Sequence, residues 1–178
     1  MLTKRPTAVF VLGASGMLGN AMLRVLGADA RYDVQGVVRN AKLAKSCMPA
    51  CAPRTVGGFD AYCPATLEPI LADSEAPVLV NCVGVVKQLD DGNRVLTAAP
   101  INSLLPHRLV EIAERRGGRV VHFSTDCVFS GDRGGYAETD AADARDIYGL
   151  TKLLGEVHGP TAVTLRTSII GHGLAPNG

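Results

Sequence analysis

A doubly wound parallel α/β sheet flanked by helices is the fold that three observations predict. Short β-branched runs alternate with helical patterns along the chain, the signature of parallel strands joined by crossover helices. The first run, Ala8 to Leu12, is continuously apolar, as a strand buried on both faces must be. Directly after it, Gly13 to Gly19 forms a glycine-rich turn that opens a helix. Six strands in this alternation obey the right-handed crossover rule by winding outward in both directions.

The helix after the turn is expected over Met17 to Gly27, because Leu18, Ala21, Met22 and Val25 recur at helical spacing and Gly27 is a stop signal. Asp33 to Val38 reads as the second strand. From Asn40 to Asp60 the Ala, Pro, Cys and Gly content supports a short helix and a brief third strand near Arg54 to Val56. A helical segment from Pro64 to Asp73, limited by Pro69, precedes the buried fourth strand, Pro77 to Val83. Ile101, Leu105, Leu109 and Ile112 form one stripe of a longer helix, Ile101 to Arg116, which Pro106 should kink unless it lies in the first turn. Arg119 to Ser124 is the fifth strand, Tyr148 to Val157 the last helix and Thr161 to Leu165 the sixth strand.

Composition narrows the function. Eighteen basic and 17 acidic residues leave a net charge of +1, no footprint for nucleic acid or an anionic membrane. With 47% hydrophobic and 20% charged residues the chain is expected to be globular rather than disordered. No apolar run reaches the ~18 residues of a membrane span, and Met1 to Pro6 do not read as a signal peptide. Five scattered cysteines, Cys47, Cys51, Cys63, Cys82 and Cys127, read as reduced thiols, so a cytoplasmic location is expected. Cys47 and Cys51 have a metal-like spacing, but no second ligand pair follows and His107, His122, His158 and His172 stand singly, so no metal is expected.

Two constellations carry chemistry. In Gly13-Ala14-Ser15-Gly16-Met17-Leu18-Gly19 the absence of side chains lets a pyrophosphate approach the backbone, and the helix start offers free N–H groups; the alternative is a tight turn without ligand. The position expected to read the adenosine ribose, after the second strand, holds Arg39. A guanidinium suits a 2′-phosphate, so NADP(H) is favoured over NAD(H), the alternative being a solvated arginine. Asp60, after the third strand, is a candidate for the adenine end, although loop aspartates usually serve only their own turn. The second constellation is Tyr148-Gly149-Leu150-Thr151-Lys152, with Tyr148 and Lys152 on one helix face, facing Ser124-Thr125-Asp126 at the end of the fifth strand. Reducing a ketone with a hydride requires a positioned acid: Tyr148 would supply the proton, the Lys152 ammonium would lower its pKa, and Thr125 would donate to the substrate carbonyl. For Thr125 the alternative is a strand-end hydroxyl bonded to its own backbone. Arg166, at the end of the sixth strand, either faces the cleft or balances charge, and Ser130 to Tyr136 reads as a mobile flap, the alternative being a merely solvated loop.

In order, GASGMLG, STDCVFSG, YGLTK and LRTSIIG resemble an extended short-chain dehydrogenase/reductase of the Rossmann type, and most the dTDP-4-dehydrorhamnose reductase group of nucleotide-sugar reductases. The most specific stretch is Ser124 to Glu156. The resemblance implies a catalytic triad of Thr125, Tyr148 and Lys152, with Tyr148 and Lys152 also touching the cofactor. It further implies cofactor contacts at Gly13, Ser15, Gly16, Met17, Leu18, Gly19, Arg39, Asp60, Cys82, Val83, Gly84, Asn102 and Ser124, with Asn81 in the same post-strand segment. Cys127 departs from the family, standing where many members carry an aromatic beside the sugar. Family members also continue for roughly another hundred residues as a lobe over the nucleotide sugar. Residues 1–165 are therefore expected to be the NAD(P)-binding domain with its triad, and 166–178 the start of that lobe, in a chain that binds cofactor without turning over the sugar.

The resemblance implies an NADPH-dependent reductase of a 4-keto nucleotide-linked deoxysugar in surface-polysaccharide precursor synthesis, with no nucleic acid or membrane partner and a homodimer as one possible assembly. Two alternatives remain open at this level. One is an NAD-retaining epimerase or dehydratase of the same fold. The other is a non-catalytic binding subunit like the regulatory subunit of methionine adenosyltransferase, against which the complete triad speaks.

Overall fold

A computed structural model describes residues 5–42, 51, 54–87 and 93–171. Six parallel strands, β1 (Thr7–Leu12), β2 (Tyr32–Val37), β3 (Thr55–Val56), β4 (Val78–Asn81), β5 (Arg119–Ser124) and β6 (Ala162–Arg166), lie in the order β3-β2-β1-β4-β5-β6. The order reverses between β1 and β4, and a doubly wound sheet opens a ligand crevice at that point. Helix α1 (Met17–Gly27) follows β1, α2 (residues 95–114) follows β4 and α3 (Ile147–Leu154) precedes β6.

Strand β1 explains its own composition. Phe10 and Leu12 pack on one face with Leu79, Leu105, Leu109, Ile112 and Val120, while Val9 and Val11 pack on the other with Leu23, Val34 and Val80. Each residue of the run therefore enters a core, which an alternating pattern could not supply.

Three elements differ from expectation. Helix α2 begins at Val95, six residues before Ile101, and is π-wound over Ala99–Leu104 before turning regularly α-helical over Leu105–Glu114. Pro100 has no N–H for the preceding turn, and the Leu105 N–H instead donates to the Pro100 carbonyl. Pro106 falls in the first turn of the α-helical stretch, where its missing N–H is tolerated. The segment from Pro64 is a 3₁₀ helix over Pro64–Leu67 followed by turns, Pro69 having no N–H to continue it. Strand β4 stops at Asn81, so Cys82, Val83 and Gly84 leave the sheet. The short helix expected after Asn40 falls mostly outside the described residues, as does Cys47; Cys51 is buried.

Between β4, β5 and the helices α2 and α3 lies a polar layer: Asn81, Asn102, Ser103, His122, Ser124, Thr151 and Lys152 are all buried. Burial pushes the His122 pKa down to about 3 from 6.5, with the positive charge of Lys152 contributing. The unfolded chain therefore binds a proton there between pH 6.5 and 3 that the folded chain refuses. Stability from this residue is complete above pH 6.5 and is lost as pH falls toward 3, by at most about 5 kcal/mol. Urea unfolding at pH 7 and pH 4 should show an acid loss that is smaller in His122→Leu, the difference between the two proteins isolating the histidine.

Candidate active site

The turn after β1 has the geometry its glycines predict. Gly13 has φ +76°, and a Cβ there would stand 3.1 Å from the Cys82 carbonyl carbon and oxygen, so the turn and the post-β4 loop touch backbone to backbone. Gly19, in the first turn of α1, lies against the Gly13 carbonyl with no room for a side chain. Gly16 caps α1 without a side-chain hydrogen bond, leaving the helix start to receive an anion.

A 370 Å³ groove runs from this turn across the strand ends. Of the expected cofactor residues Gly13, Ser15, Gly16, Arg39, Asp60, Cys82, Val83 and Gly84 line it. Val37, Val38, Phe59, Ala61, Tyr62 and Ile101 line it as well and were not anticipated. The missed signal is Phe59-Asp60-Ala61-Tyr62, which β3, only two residues long, delivers to the groove. Asp60 Oδ1 accepts the Tyr62 N–H, an Asx-type turn that leaves the rest of its carboxylate at the groove. This concave crevice at the strand ends runs from the glycine turn to Arg39 and Asp60.

Other expected contacts lie outside the groove lining. Met17 and Leu18 are partly buried in the first turn of α1. Asn102 is wholly buried, and its carboxamide is engaged on the loop: Oδ1 accepts the Val85 N–H at 2.9 Å, and Nδ2 donates to the Val85 carbonyl at 3.0 Å. Ser124 is buried beside Glu156.

The three residues of the expected triad meet at the sheet edge. Thr125 follows β5, while Tyr148 and Lys152 project from α3, whose N-cap Asp146 accepts the Gly149 N–H at 2.7 Å. Gly149 is where α3 presses on the loop: a Cβ there would meet the Cys127 carbonyl and the Ala144 side chain. Thr125 donates to Asp126 Oδ1 at 3.1 Å and accepts the Cys127 N–H at 3.1 Å. Lys152 is 5% exposed; its Nζ donates to the Phe123 carbonyl at 2.7 Å, and burial pushes its pKa down to about 8 against the pull of Glu156. Tyr148 behaves differently from expectation. Its phenol is raised above the ordinary value, chiefly by burial, with Asp126 and Asp146 adding to the rise and Thr125 opposing it.

Beside the triad lies an 810 Å³ cleft lined by Lys87, Asp126, Cys127, Phe129, Tyr136 and Asp146, among others. Lys87 reaches across it to Asp146 Oδ2 at 2.7 Å. Its far wall, the glycine-rich loop expected as a mobile flap or a merely solvated loop, carries many contacts of its own. Phe129 and Tyr136 stack at 4.5 Å, Arg133 lies over Tyr136, and Arg166 lies over Phe129. The Ser130 N–H and hydroxyl both donate to Asp143. Arg166, left open above, forks onto the buried Glu156 carboxylate at 2.7 and 2.8 Å. Replacing it with alanine strands that charge, and a loss of about 3 kcal/mol is expected in urea unfolding.

The glycine turn thus shares one edge of the sheet with the phenol of Tyr148, the ammonium of Lys152 and the hydroxyl of Thr125. The chain belongs to the RmlD substrate binding domain family, whose model matches residues 7–173. It is 31% identical over 123 residues to a dTDP-4-dehydrorhamnose reductase of Mycobacterium tuberculosis, covering 64% of this chain and 40% of the relative. It is 33% identical to the spore coat polysaccharide biosynthesis protein SpsK of Bacillus subtilis, covering 94% and 55% respectively. A solved dTDP-4-dehydrorhamnose reductase from Bacillus anthracis in complex with NADP superposes with a TM-score of 0.73 at 22% identity, over 92% of this chain and 54% of that one. The chain thus spans about half the length of the relatives it matches.

Proposed function

We propose that this chain is the cofactor-binding and catalytic part of an NADPH-dependent reductase acting on the 4-keto group of a nucleotide-linked deoxysugar, in surface-polysaccharide precursor synthesis. The observation that carries the reading is Thr125 beside Tyr148 at the end of β5, with Lys152 one turn on along α3 and bonded to Phe123, next to the cleft at Asp126 and Cys127. The glycine turn, Arg39 and residues 82–84 would hold a nicotinamide dinucleotide, which would provide hydride-transfer chemistry there. Tyr148, a phenol and so protonated at neutral pH, gives its proton to the alkoxide oxygen. Thr125, whose hydroxyl now points at Asp126, turns it to the carbonyl oxygen as negative charge develops there. Lys152 adds a positive charge one helical turn from Tyr148 and holds the end of β5 through the Phe123 carbonyl.

The relatives named above support a glycan role, and the NADP complex supports the cofactor. Residues 166–178 are assigned to the entry of the substrate lobe, with Ser168 tied back to Asp126. The cytoplasm is the proposed location; among the described residues no helix is long and apolar enough to cross a membrane. A homodimer is proposed through the adjoining α2 and α3, which expose Leu96, Leu104, Leu150 and Leu154. Arg39 lines the groove as the proposed selector of the 2′-phosphate. Titration with NADPH and NADH should show Arg39→Ala weakening NADPH about tenfold or more while sparing NADH. Equal loss for both cofactors would remove Arg39 from that role.

A further inference from the structure

His122 is a histidine where the core calls for a hydrocarbon. It lies on β5 two residues from Val120, on the face that packs against α2, and is 0% exposed. Its one hydrogen bond joins Nδ1 to the Asn81 Nδ2 at 3.0 Å, and Nε2 has no partner among the described residues. A valine or leucine would bury the same face without an unpaired N–H, so what the imidazole adds is its hold on Asn81.

The direction of that hold follows from the neighbouring bond. Asn81 Oδ1 accepts the Val83 N–H at 3.1 Å, which leaves the amide nitrogen facing the ring. An amide nitrogen only donates, so Nδ1 accepts and the ring is the neutral Nε2–H tautomer. Charge on the ring is excluded by its surroundings as well: burial and the Lys152 ammonium both oppose it, and His107 is the other basic group acting on it. The bonds therefore run in series from His122 to Asn81 to Val83.

Val83 is a wall of the cofactor groove. With Cys82 and Gly84 it faces the glycine turn, and Cys82 meets Gly13 backbone to backbone. One end of this loop is fixed by Asn81, the other by the Asn102 grip on Val85. We propose that His122 is a positioning residue for cofactor binding, acting through Asn81 to set the groove wall at residues 82–84. This rests on the dinucleotide reading of the groove.

Two substitutions and one spectrum test it, on the full-length protein. His122→Asn keeps an acceptor near the place of Nδ1, and His122→Leu removes it. NADPH affinity should fall about tenfold in the leucine variant and return to within about threefold of wild type in the asparagine variant, whichever of the two is the more stable in urea. Wild-type affinity in the leucine variant, or affinity that follows urea stability in both, would overturn the proposal. Long-range ¹H–¹⁵N spectra of the wild-type ring should show Nδ1 unprotonated and Nε2 protonated from pH 5 to pH 8; the opposite tautomer or an imidazolium overturns it, even if the leucine variant does not fold. Failure of wild type to bind any dinucleotide would instead overturn the reading of the groove, and the spectrum would still decide the Asn81 bond.

Discussion

Tyr148→Phe should reduce turnover of a 4-keto nucleotide sugar by about 10²- to 10⁴-fold in the full-length protein, the range for losing a positioned general acid. NADPH affinity should change by no more than about threefold, because Tyr148 does not line the groove. Stability should hold as well: the ring stays half-buried on α3, and no backbone bond of that helix depends on the hydroxyl. The measurements are NADPH consumption, fluorescence titration and urea unfolding. Unchanged turnover would remove Tyr148 as the acid. Loss of all three together would mean that the substitution acts on the fold.

Gly19→Ala should impair cofactor binding and stability together. A methyl at position 19 would meet the Gly13 carbonyl carbon at 2.7 Å and the Ala14 Cα at 2.9 Å, backbone atoms with no rotamer to move aside. Relief requires the turn to open, at about 1–3 kcal/mol by the usual cost of overpacking. The opened turn no longer offers its N–H groups together, so NADPH affinity should fall by at least about tenfold. Gly131→Ala is the control. That glycine also has positive φ, at +85°, but a Cβ there meets nothing within 4 Å. Its substitution should show only backbone strain of about 1–2 kcal/mol and leave cofactor affinity unchanged.

The reading from sequence was sharpest where a residue's local pattern was itself the cause of its structure. The apolar runs of β1 and β5 were legible because both sheet faces are buried, so burial writes itself into the residue types; the stripe expected on α1 was not, since Val25 is exposed and the helix buries Gly19, Asn20 and Leu23 instead. Helix α2 was legible over its apolar stripe but not at its start, since Val95 and Leu96 are exposed and carry no periodic signal. The loop's contacts were not legible in its glycine content: Phe129, Tyr136 and Arg133 come together within the loop, and Arg166 reaches Phe129 only once β6 pairs with β5.

The sequence by itself determined the fold class, the glycine turn and the Tyr-x-x-x-Lys pair, because each depends on residues within one or two helical turns of one another. Only the tertiary structure decided the groove's full lining, the raised pKa of Tyr148 and the bonds from His122 through Asn81 to Val83. These depend on burial and on contacts such as Asn81 with His122, 41 positions apart in the chain. Desolvation and long-range hydrogen bonding arise only once the sheet has closed under its helices.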